Sequence, residues 1–204
     1  MNDASPFHRI ARISRPSVVL DTDTYNEIDD QFALVYALLS GDTIDLKAVY
    51  AAPFHNNRSD GPGDGMTKSH EEILRILDFF PPSYHVPALT GSTQWMPDVE
   101  TAVSSPAADH LIATAKAHSP ENPLCVVAVG AATNVTSALL AAPEIIDRIA
   151  ILWLAGHPSY WHSAWEFNLA GDWNASRALL DSGANLLLVP CAKVAEALNT
   201  TRSE

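Results

Sequence analysis

The stretch VVLDTDTYNEIDDQFALVYALL, residues 18–39, places four aspartates, one glutamate and one asparagine between two apolar runs. The first run does not alternate with polar residues, which is typical of a buried strand in a parallel sheet, here ending at Asp21. The second run follows helical spacing from Asp30 and stops before Gly41. The acids therefore lie on a strand-to-helix loop, where open α/β sheets bind their ligands.

The four aspartates fall within a segment of ten residues: Asp21, Asp23, Asp29 and Asp30. Two carboxylates about 4 Å apart repel by roughly 1 kcal/mol in water and about 4 kcal/mol near a protein surface. Either the side chains point apart, or a cation holds them together, and hard oxygen ligands favour Ca²⁺ or Mg²⁺ over Zn²⁺. In the alternative interpretation, Asp29 or Asp30 caps the helix and the other acids face water.

The pattern D-T-D, a turn, and then D-D opening an apolar helix resembles the inosine-uridine preferring nucleoside hydrolase family. In that family this loop holds a Ca²⁺ ion that also binds the ribose hydroxyls. The resemblance implies that Asp23 and Asp30 ligate Ca²⁺ and that Asp23 takes the proton of a metal-bound water. It further implies that Asp29 accepts a hydrogen bond from a ribose hydroxyl. Asp21 would orient the other acids without binding the Ca²⁺ ion itself.

The segment VGAATN, residues 129–134, follows an apolar run and resembles the family's second motif. A tight turn here would lead into a helix that starts near Val135 and is capped by Thr133 or Asn134. The resemblance implies that the main-chain carbonyl of Val129 is a Ca²⁺ ligand. In the purely structural interpretation, the segment is a well-formed strand-turn-helix junction. The two interpretations are compatible.

The segment WEFNLAGDW, residues 165–173, resembles the family's ribose-recognition segment. The resemblance implies that Glu166 and Asn168 bond to ribose hydroxyls, and a carboxylate and an amide do offer complementary acceptors and donors to a polyol. Asp172 is expected to cap the helix that follows. Three aromatic residues just upstream or within this segment could frame a base: Trp161, His162 and Trp165.

A loop rich in Asn, Asp and Gly, residues 55–65, follows a second apolar run at 44–54. If the two strands are parallel neighbours, this loop emerges at the same sheet edge as Asp21. Asn56 is therefore a candidate substrate contact, although turn chemistry explains an Asn-rich loop equally well.

Strand and helix patterns alternate along the chain, which predicts an α/β fold with a doubly wound, mainly parallel sheet flanked by helices. We expect a loose leader at residues 1–15 and a single nucleoside hydrolase-like domain at 16–204. Family members continue beyond the position of Glu204, where they supply another aspartate to Ca²⁺ and often a histidine that assists departure of the base. The chain is thus expected to be short at its C-terminus.

Composition excludes other classes of function. With 204 residues and a net charge of −12, the chain lacks the basic surface that binding to nucleic acid requires. No segment resembles a signal peptide or a membrane span. Cys125 and Cys191 lie in apolar segments, which is typical of buried free thiols in a reducing compartment. We therefore expect a cytoplasmic protein with no nucleic-acid or membrane partner.

The three segments together favour hydrolysis of the N-glycosidic bond of ribonucleosides, with Ca²⁺ as cofactor and a small-molecule nucleoside as partner. One alternative is a truncated, inactive homologue that only binds metal or ribose, since Ca²⁺ takes about six to eight oxygens. Surface left uncovered by the absent part could also make the chain a homo-oligomer. A second alternative is a haloacid dehalogenase-like Mg²⁺ phosphatase with Asp21 as nucleophile, which explains only the first segment.

Overall fold

The computed structural model describes residues 5–199, and these contain one sheet of six strands in the order β3-β2-β1-β4-β5-β6. Every neighbouring pair is parallel. The strands are β1 (Ser17–Thr22), β2 (Asp45–Ala51), β3 (Ala88–Thr90), β4 (Leu124–Ala128), β5 (Ile149–Leu154) and β6 (Leu186–Val189). The predicted parallel α/β fold is confirmed, because the apolar runs predicted as strands form parallel strands and the run with helical spacing forms a helix.

Helices cover both faces of the sheet. In chain order they are α1 (Pro6–Ile10), α2 (Ile28–Leu39), α3 (Pro62–Leu77), α4 (Pro106–Lys116), α5 (Thr133–Ala141), α6 (Phe167–Gly171) and α7 (Trp173–Asp181). One core cluster joins the sheet to α2 and α3 through side chains such as Leu34 and Ile73. A second cluster joins the opposite face to α4, α5 and α7 through Leu111, Val135 and Leu179. The doubly wound arrangement is therefore confirmed.

The strand order reverses at β1, which lies between β2 and β4. Asp21 on β1 pairs in register with Tyr50 on β2 and with Ala128 on β4. A sheet of this kind opens a crevice at the carboxyl ends of the strands on either side of the reversal point. The loop after β1 and the turn after β4 consequently meet at one place, and both carry predicted site residues.

The predicted cap at Thr133 or Asn134 is wrong, and so is the alternative interpretation in which Asp29 or Asp30 is a cap. Helix α2 begins at Ile28 with Glu27 as N-cap residue, and no side chain caps it, so Asp29 and Asp30 lie inside its first turn. Helix α5 begins at Thr133 after Ala132, also without a side-chain cap. In both helices the expected capping side chains lie within the first turn instead. The Asp172 cap of α7 is confirmed, because its carboxylate accepts the Ala175 N–H.

The predicted loose leader contains the short helix α1, and the Arg9 guanidinium donates to the Pro120 carbonyl at 2.6 Å. Residues 1–4 of the leader, and residues 200–204 at the other end, lie outside the described part. Both cysteines are free, with Cys125 buried and Cys191 half-buried. Among residues 5–199, no helix has both the length and the apolar character needed to cross a membrane.

Candidate functional site

Three carboxylates are buried around the carboxyl end of β1. Asp21 lies on the strand, Asp23 lies on the loop after it, and Asp30 lies in the first turn of α2; their exposed fractions are 0%, 1% and 7%. Asp29, on the same turn of α2, is exposed to solvent. The sheet thus brings the predicted acids together in the crevice, with three of them in the protein interior and Asp29 at its surface.

Few hydrogen bonds offset the cost of burying the negative charges of these three carboxylates. Burial raises the pKa of Asp21 to about 7, although a hydrogen bond from Asn134 opposes the shift. Burial also raises the pKa of Asp30 to about 7, against a hydrogen bond from Thr22. Burial, and then repulsion from Asp30, raises the pKa of Asp23 well above its usual range. The three groups therefore resist carrying three negative charges unless a cation is near.

Two oxygens of this cluster fit a cation. Asp21 Oδ2 and Asp23 Oδ2 are buried, and neither has a hydrogen-bond partner among the described residues. Because an unpaired buried carboxylate oxygen is costly, such atoms favour a positive ligand. Within residues 5–199, however, no group of three or more His, Cys, Asp or Glu side chains is arranged to hold a metal ion. A hard cation here would also need main-chain or water oxygens.

The turn after β4 supplies a main-chain oxygen beside the acids. The Val129 N–H donates to the Asp21 carbonyl at 2.8 Å, and the Val129 carbonyl accepts from Asn168 Nδ2 at 2.9 Å. At Gly130, an added Cβ would lie 3.2 Å from Asp23 Oδ1 and 2.9 Å from Ala52 Cβ. The missing side chain lets this turn approach the Asp23 carboxylate closely.

Glu166 and Asn168 hold the start of α6 against the sheet. Glu166 is the N-cap residue: Oε1 accepts the Asn168 N–H at 3.0 Å, and Oε2 accepts the N–H groups of Leu169 at 3.0 Å and Gly156 at 2.8 Å. Asn168 Nδ2 donates to the Leu154 carbonyl at 3.0 Å as well as to Val129. Both predicted ribose contacts therefore also have structural partners.

Asn56 reaches the acidic loop through Asn26. Its Nδ2 donates to Asn26 Oδ1 at 2.7 Å, and the Asn26 N–H donates to the Asp23 carbonyl at 2.7 Å. A side-chain hydrogen bond from Asn26 also lowers the pKa of Asp23, against the larger effect of burial. Asn56 is thus linked to the buried Asp23 through one intervening residue, Asn26.

Sequence reasoning missed three polar residues that contact the acids. Asn26 bonds to Asp23, Thr22 Oγ1 donates to Asp30 Oδ1 at 2.7 Å, and Asn134 Nδ2 donates to Asp21 Oδ1 at 2.8 Å. Thr22 and Asn26 stand between the aspartates in the sequence, so their position was a signal. Asn134 gave no such signal, because it lies 113 residues from Asp21.

Aromatic residues that precede Glu166 in the chain form a small cluster. The Trp161 ring contacts the rings of His157 and His162, with centroids 5.8 Å and 5.1 Å away, and Lys193 Nζ lies 5.5 Å from the Trp161 centroid. Trp165, which is largely exposed, is not among these ring contacts. Of the three predicted aromatic residues, the structure groups only Trp161 and His162.

A family model described as inosine-uridine preferring nucleoside hydrolase matches residues 18–204. The chain belongs to this family. The match confirms the resemblance read from the three sequence segments, and it spans all of them. The phosphatase interpretation, by contrast, accounts only for the loop after β1. No curated protein matches the chain.

Solved nucleoside hydrolase structures share the fold. An inosine-guanosine nucleoside hydrolase superposes with a TM-score of 0.65 at 17% identity, covering 86% of this chain and 60% of that one. A purine-preferring ribonucleoside hydrolase from Gardnerella vaginalis gives 0.63 at 24% identity, with 85% and 60% covered. An inosine-uridine preferring nucleoside hydrolase from Bacillus anthracis gives 0.63 at 21% identity, with 92% and 69% covered. The chain thus spans 60% of the length of the first two proteins.

Proposed function

We propose that this chain hydrolyses the N-glycosidic bond of ribonucleosides in the crevice at the carboxyl ends of β1 and β4. The observation that carries the proposal is the buried trio Asp21, Asp23 and Asp30, with two carboxylate oxygens that lack a hydrogen-bond partner in the described part of the chain. Membership of the nucleoside hydrolase family gives this acidic crevice a reaction class. An anionic crevice suits the reaction, because its transition state carries positive charge on the sugar.

We further propose Ca²⁺ as the cofactor, held by Asp23, Asp30 and the Val129 carbonyl. All three donors are hard oxygens, as Ca²⁺ prefers, and the Val129 carbonyl keeps a second lone pair beside its bond to Asn168. When bound, the ion would lower the pKa of a coordinated water and hold the ribose diol. Its charge would also relieve the repulsion between Asp23 and Asp30.

Asp23 serves as the general base in this proposal, because it is the acid that follows β1 directly and faces the turn at Gly130. It takes a proton from the attacking water, whose oxygen bonds to the anomeric carbon. The bond between the anomeric carbon and the nucleobase nitrogen breaks. Its electron pair leaves with the nucleobase, which is protonated from solvent. The negative charge of Asp21 stabilises the ribosyl cation from behind Asp23.

The ribose hydroxyls are assigned to the residues around the crevice. Asp29 is exposed on the first turn of α2, where it can accept from a hydroxyl. Among residues 5–199, Glu166 Oε1 accepts one N–H only and therefore keeps a lone pair for a hydroxyl, while Asn168 lies beside it. Asn56 contacts the substrate in this proposal and steadies the acidic loop through Asn26.

A second candidate function is binding of metal or ribose without turnover. One observation favours it: among residues 5–199, no group of three or more acidic, His or Cys side chains is arranged to hold a metal ion, so a bound ion would be held weakly. This alternative uses the same oxygens and differs from the first proposal only in the bond-breaking step.

Calorimetric titration with Ca²⁺, with and without ribose, tests the binding part. We expect micromolar binding that ribose strengthens and that Asp30→Ala abolishes. Asp181→Ala, at an exposed carboxylate on α7, is the control and should bind as the wild type does. Release of base from inosine and uridine then separates the two candidates. Absence of Ca²⁺ binding in folded protein would contradict the proposed site, and binding without base release would favour the second candidate.

A further inference from the structure

Asn134 joins three strands at the base of the crevice. It is the second residue of α5 and is fully buried. Its Nδ2 donates to Asp21 Oδ1 at 2.8 Å and to the Ala51 carbonyl at 3.2 Å, and its Oδ1 accepts the Ser92 N–H at 2.8 Å. One amide thus binds the ends of β1 and β2 and the loop after β3.

These contacts fix which way the amide points. A backbone N–H can only donate, so the oxygen of the amide must face Ser92. The nitrogen must then face Asp21 and the Ala51 carbonyl, both of which are acceptors in this network. The flipped amide would set nitrogen against the Ser92 N–H and oxygen against two acceptors. Asn134 is therefore a dedicated donor to the Asp21 carboxylate.

The amide has no room to turn away. A Cβ added to Gly91 would lie 2.5 Å from Asn134 Nδ2, 2.7 Å from Asn134 Oδ1 and 2.0 Å from the Ala51 carbonyl oxygen. Glycine at position 91 thus allows the backbone to press directly on the amide. Close packing of this kind holds a side chain in one rotamer.

Asp21 depends on this amide. Among residues 5–199, Asn134 is the only hydrogen-bond donor to the Asp21 carboxylate, whose Oδ2 is buried without a partner. Asp21 lies on β1 only two residues before Asp23, and each of the two carboxylates has a buried Oδ2 without a hydrogen-bond partner among the described residues. The orientation of Asp21 therefore affects the group that the proposed reaction uses as its base.

We infer that Asn134 is a positioning residue, which holds the Asp21 carboxylate in one orientation next to Asp23. The Asp21 carboxylate then sets the electrostatic field in which Asp23 and Asp30 bind their cation. The inference rests on the proposed function. It assigns the tertiary hydrogen bonds of α5 a role in ligand binding, in addition to their contribution to packing. Asn134 acts through Asp21 and does not itself touch the ligand.

A double-mutant cycle tests this inference. Asn134→Leu removes the donor at similar volume, and Asp21→Asn removes the charge that the donor orients. The control is Thr136→Val, which removes another buried hydrogen bond of α5, from Thr136 Oγ1 to the Ala175 carbonyl at 3.1 Å. Each variant is titrated with Ca²⁺ alone, and thermal melts establish that it is folded. Asn134→Ala, which adds no atoms, replaces the leucine variant if that variant is unfolded.

We expect Asn134→Leu to weaken Ca²⁺ binding about tenfold or more in the wild-type background, and about twofold or less when Asp21 is already asparagine. Thr136→Val should change binding by about twofold or less in both. An equal loss in both backgrounds would overturn the inference, because it would show that Asn134 acts through packing alone. Unchanged binding in Asn134→Leu would overturn it as well.

A second readout needs no metal. In metal-free protein, the backbone amide NMR signals of residues 22–26 should shift in Asn134→Leu, and shift much less when the same substitution is made beside Asp21→Asn. If the wild type bound no Ca²⁺, the proposed metal site would fail, and this arm alone would decide the inference. Equal shifts in both backgrounds would refute positioning through Asp21.

Discussion

The carbonyl of Val129, on the turn directly after β4, accepts a 2.9 Å hydrogen bond from the side-chain amide of Asn168, on α6. Asn168 also donates to the Leu154 carbonyl at the end of β5. One amide thus ties the ends of two neighbouring strands to the helix that carries the predicted ribose contacts. One hydrogen bond therefore links Val129, the proposed Ca²⁺ ligand, to Asn168, the proposed ribose ligand.

Replacing Asn168 by alanine should damage both stability and ligand binding. Two hydrogen bonds to buried carbonyls are lost, which we expect to cost about 1 to 3 kcal/mol in the free energy of unfolding. Ribose and Ca²⁺ affinities should fall together, because α6 and the Val129 turn move together. The matched control is Asn174→Ala, which loses one bond to the Met96 carbonyl away from the crevice. Loss of affinity in the control would argue against a local effect at Asn168.

Substituting the glycine beside Asp23 should be costly. Gly130→Ala adds a Cβ 2.9 Å from Ala52 Cβ and 3.2 Å from Asp23 Oδ1, so the neighbours must shift. We expect a loss of about 1 to 3 kcal/mol in the free energy of unfolding, together with weaker Ca²⁺ binding. Gly41→Ala is the control, because no atom of the described residues, apart from its chain neighbours, lies within 4 Å of the added Cβ. Equal unfolding midpoints for the two variants in urea would contradict the close approach at Gly130.

The metal-free protein should lose stability as pH rises from acid to neutral. Burial raises the pKa values of Asp21 and Asp30 to about 7, from an ordinary value of 3.8. The folded state therefore keeps protons that the unfolded state releases between about pH 4 and 7, so the free energy of unfolding falls across that window. Below pH 4 the contribution is fully present, and above pH 7 it is lost.

Thermal melts in a chelator at a series of pH values measure this dependence. Asp30→Asn should flatten the fall in Tm and raise Tm near pH 7, because the variant has no proton to lose at this position. Asp181→Asn, an exposed acid on α7, should keep the slope of the wild type. A Tm that rises steadily from pH 4 to 7 in the wild type would contradict the direction of the two shifts.

Added Ca²⁺ should restore the stability lost at neutral pH. A ligand that binds only the folded state stabilises it by about 2.7 kcal/mol when its free concentration is about 100 times Kd. We expect Tm to rise with Ca²⁺ at pH 7.5 and the rise to be much smaller at pH 5, where protons compete for Asp30. Asp23→Asn should abolish the rise. A rise that persists in Asp23→Asn would place the ion elsewhere.

Most of the fold could be predicted from local pattern. Unbroken apolar runs, such as residues 18–20 and the run that leads into VGAATN, indicated buried parallel strands, and the structure has strands at both. The Asp172 cap was also readable, since its partner is only three residues away. Local signals succeed here because the atoms that interact are close in sequence.

The failed helix caps show where local pattern stops. Thr133 and Asn134 have the right chemistry to cap α5, yet Thr133 Oγ1 donates to Asp172 Oδ2 at 2.8 Å and Asn134 bonds to Asp21. Hydrogen bonds to distant partners that are buried with these side chains stabilise the fold more than a cap at the helix end would. The reason is that an unpaired polar group is most costly in the interior. Sequence spacing carries no information about partners 39 or 113 residues away.

By itself, the sequence determined the parallel α/β architecture, the family, and the placement of acids on the loop after β1, because these follow from apolar runs and short motifs. Only the tertiary structure decided which acids are buried, which oxygens lack partners, and which amides orient them. The reason is physical: the pKa of Asp21 and the contacts of Asn134 and Asn168 depend on how the carboxyl ends of β1 to β5 converge, and that convergence joins residues far apart in the chain.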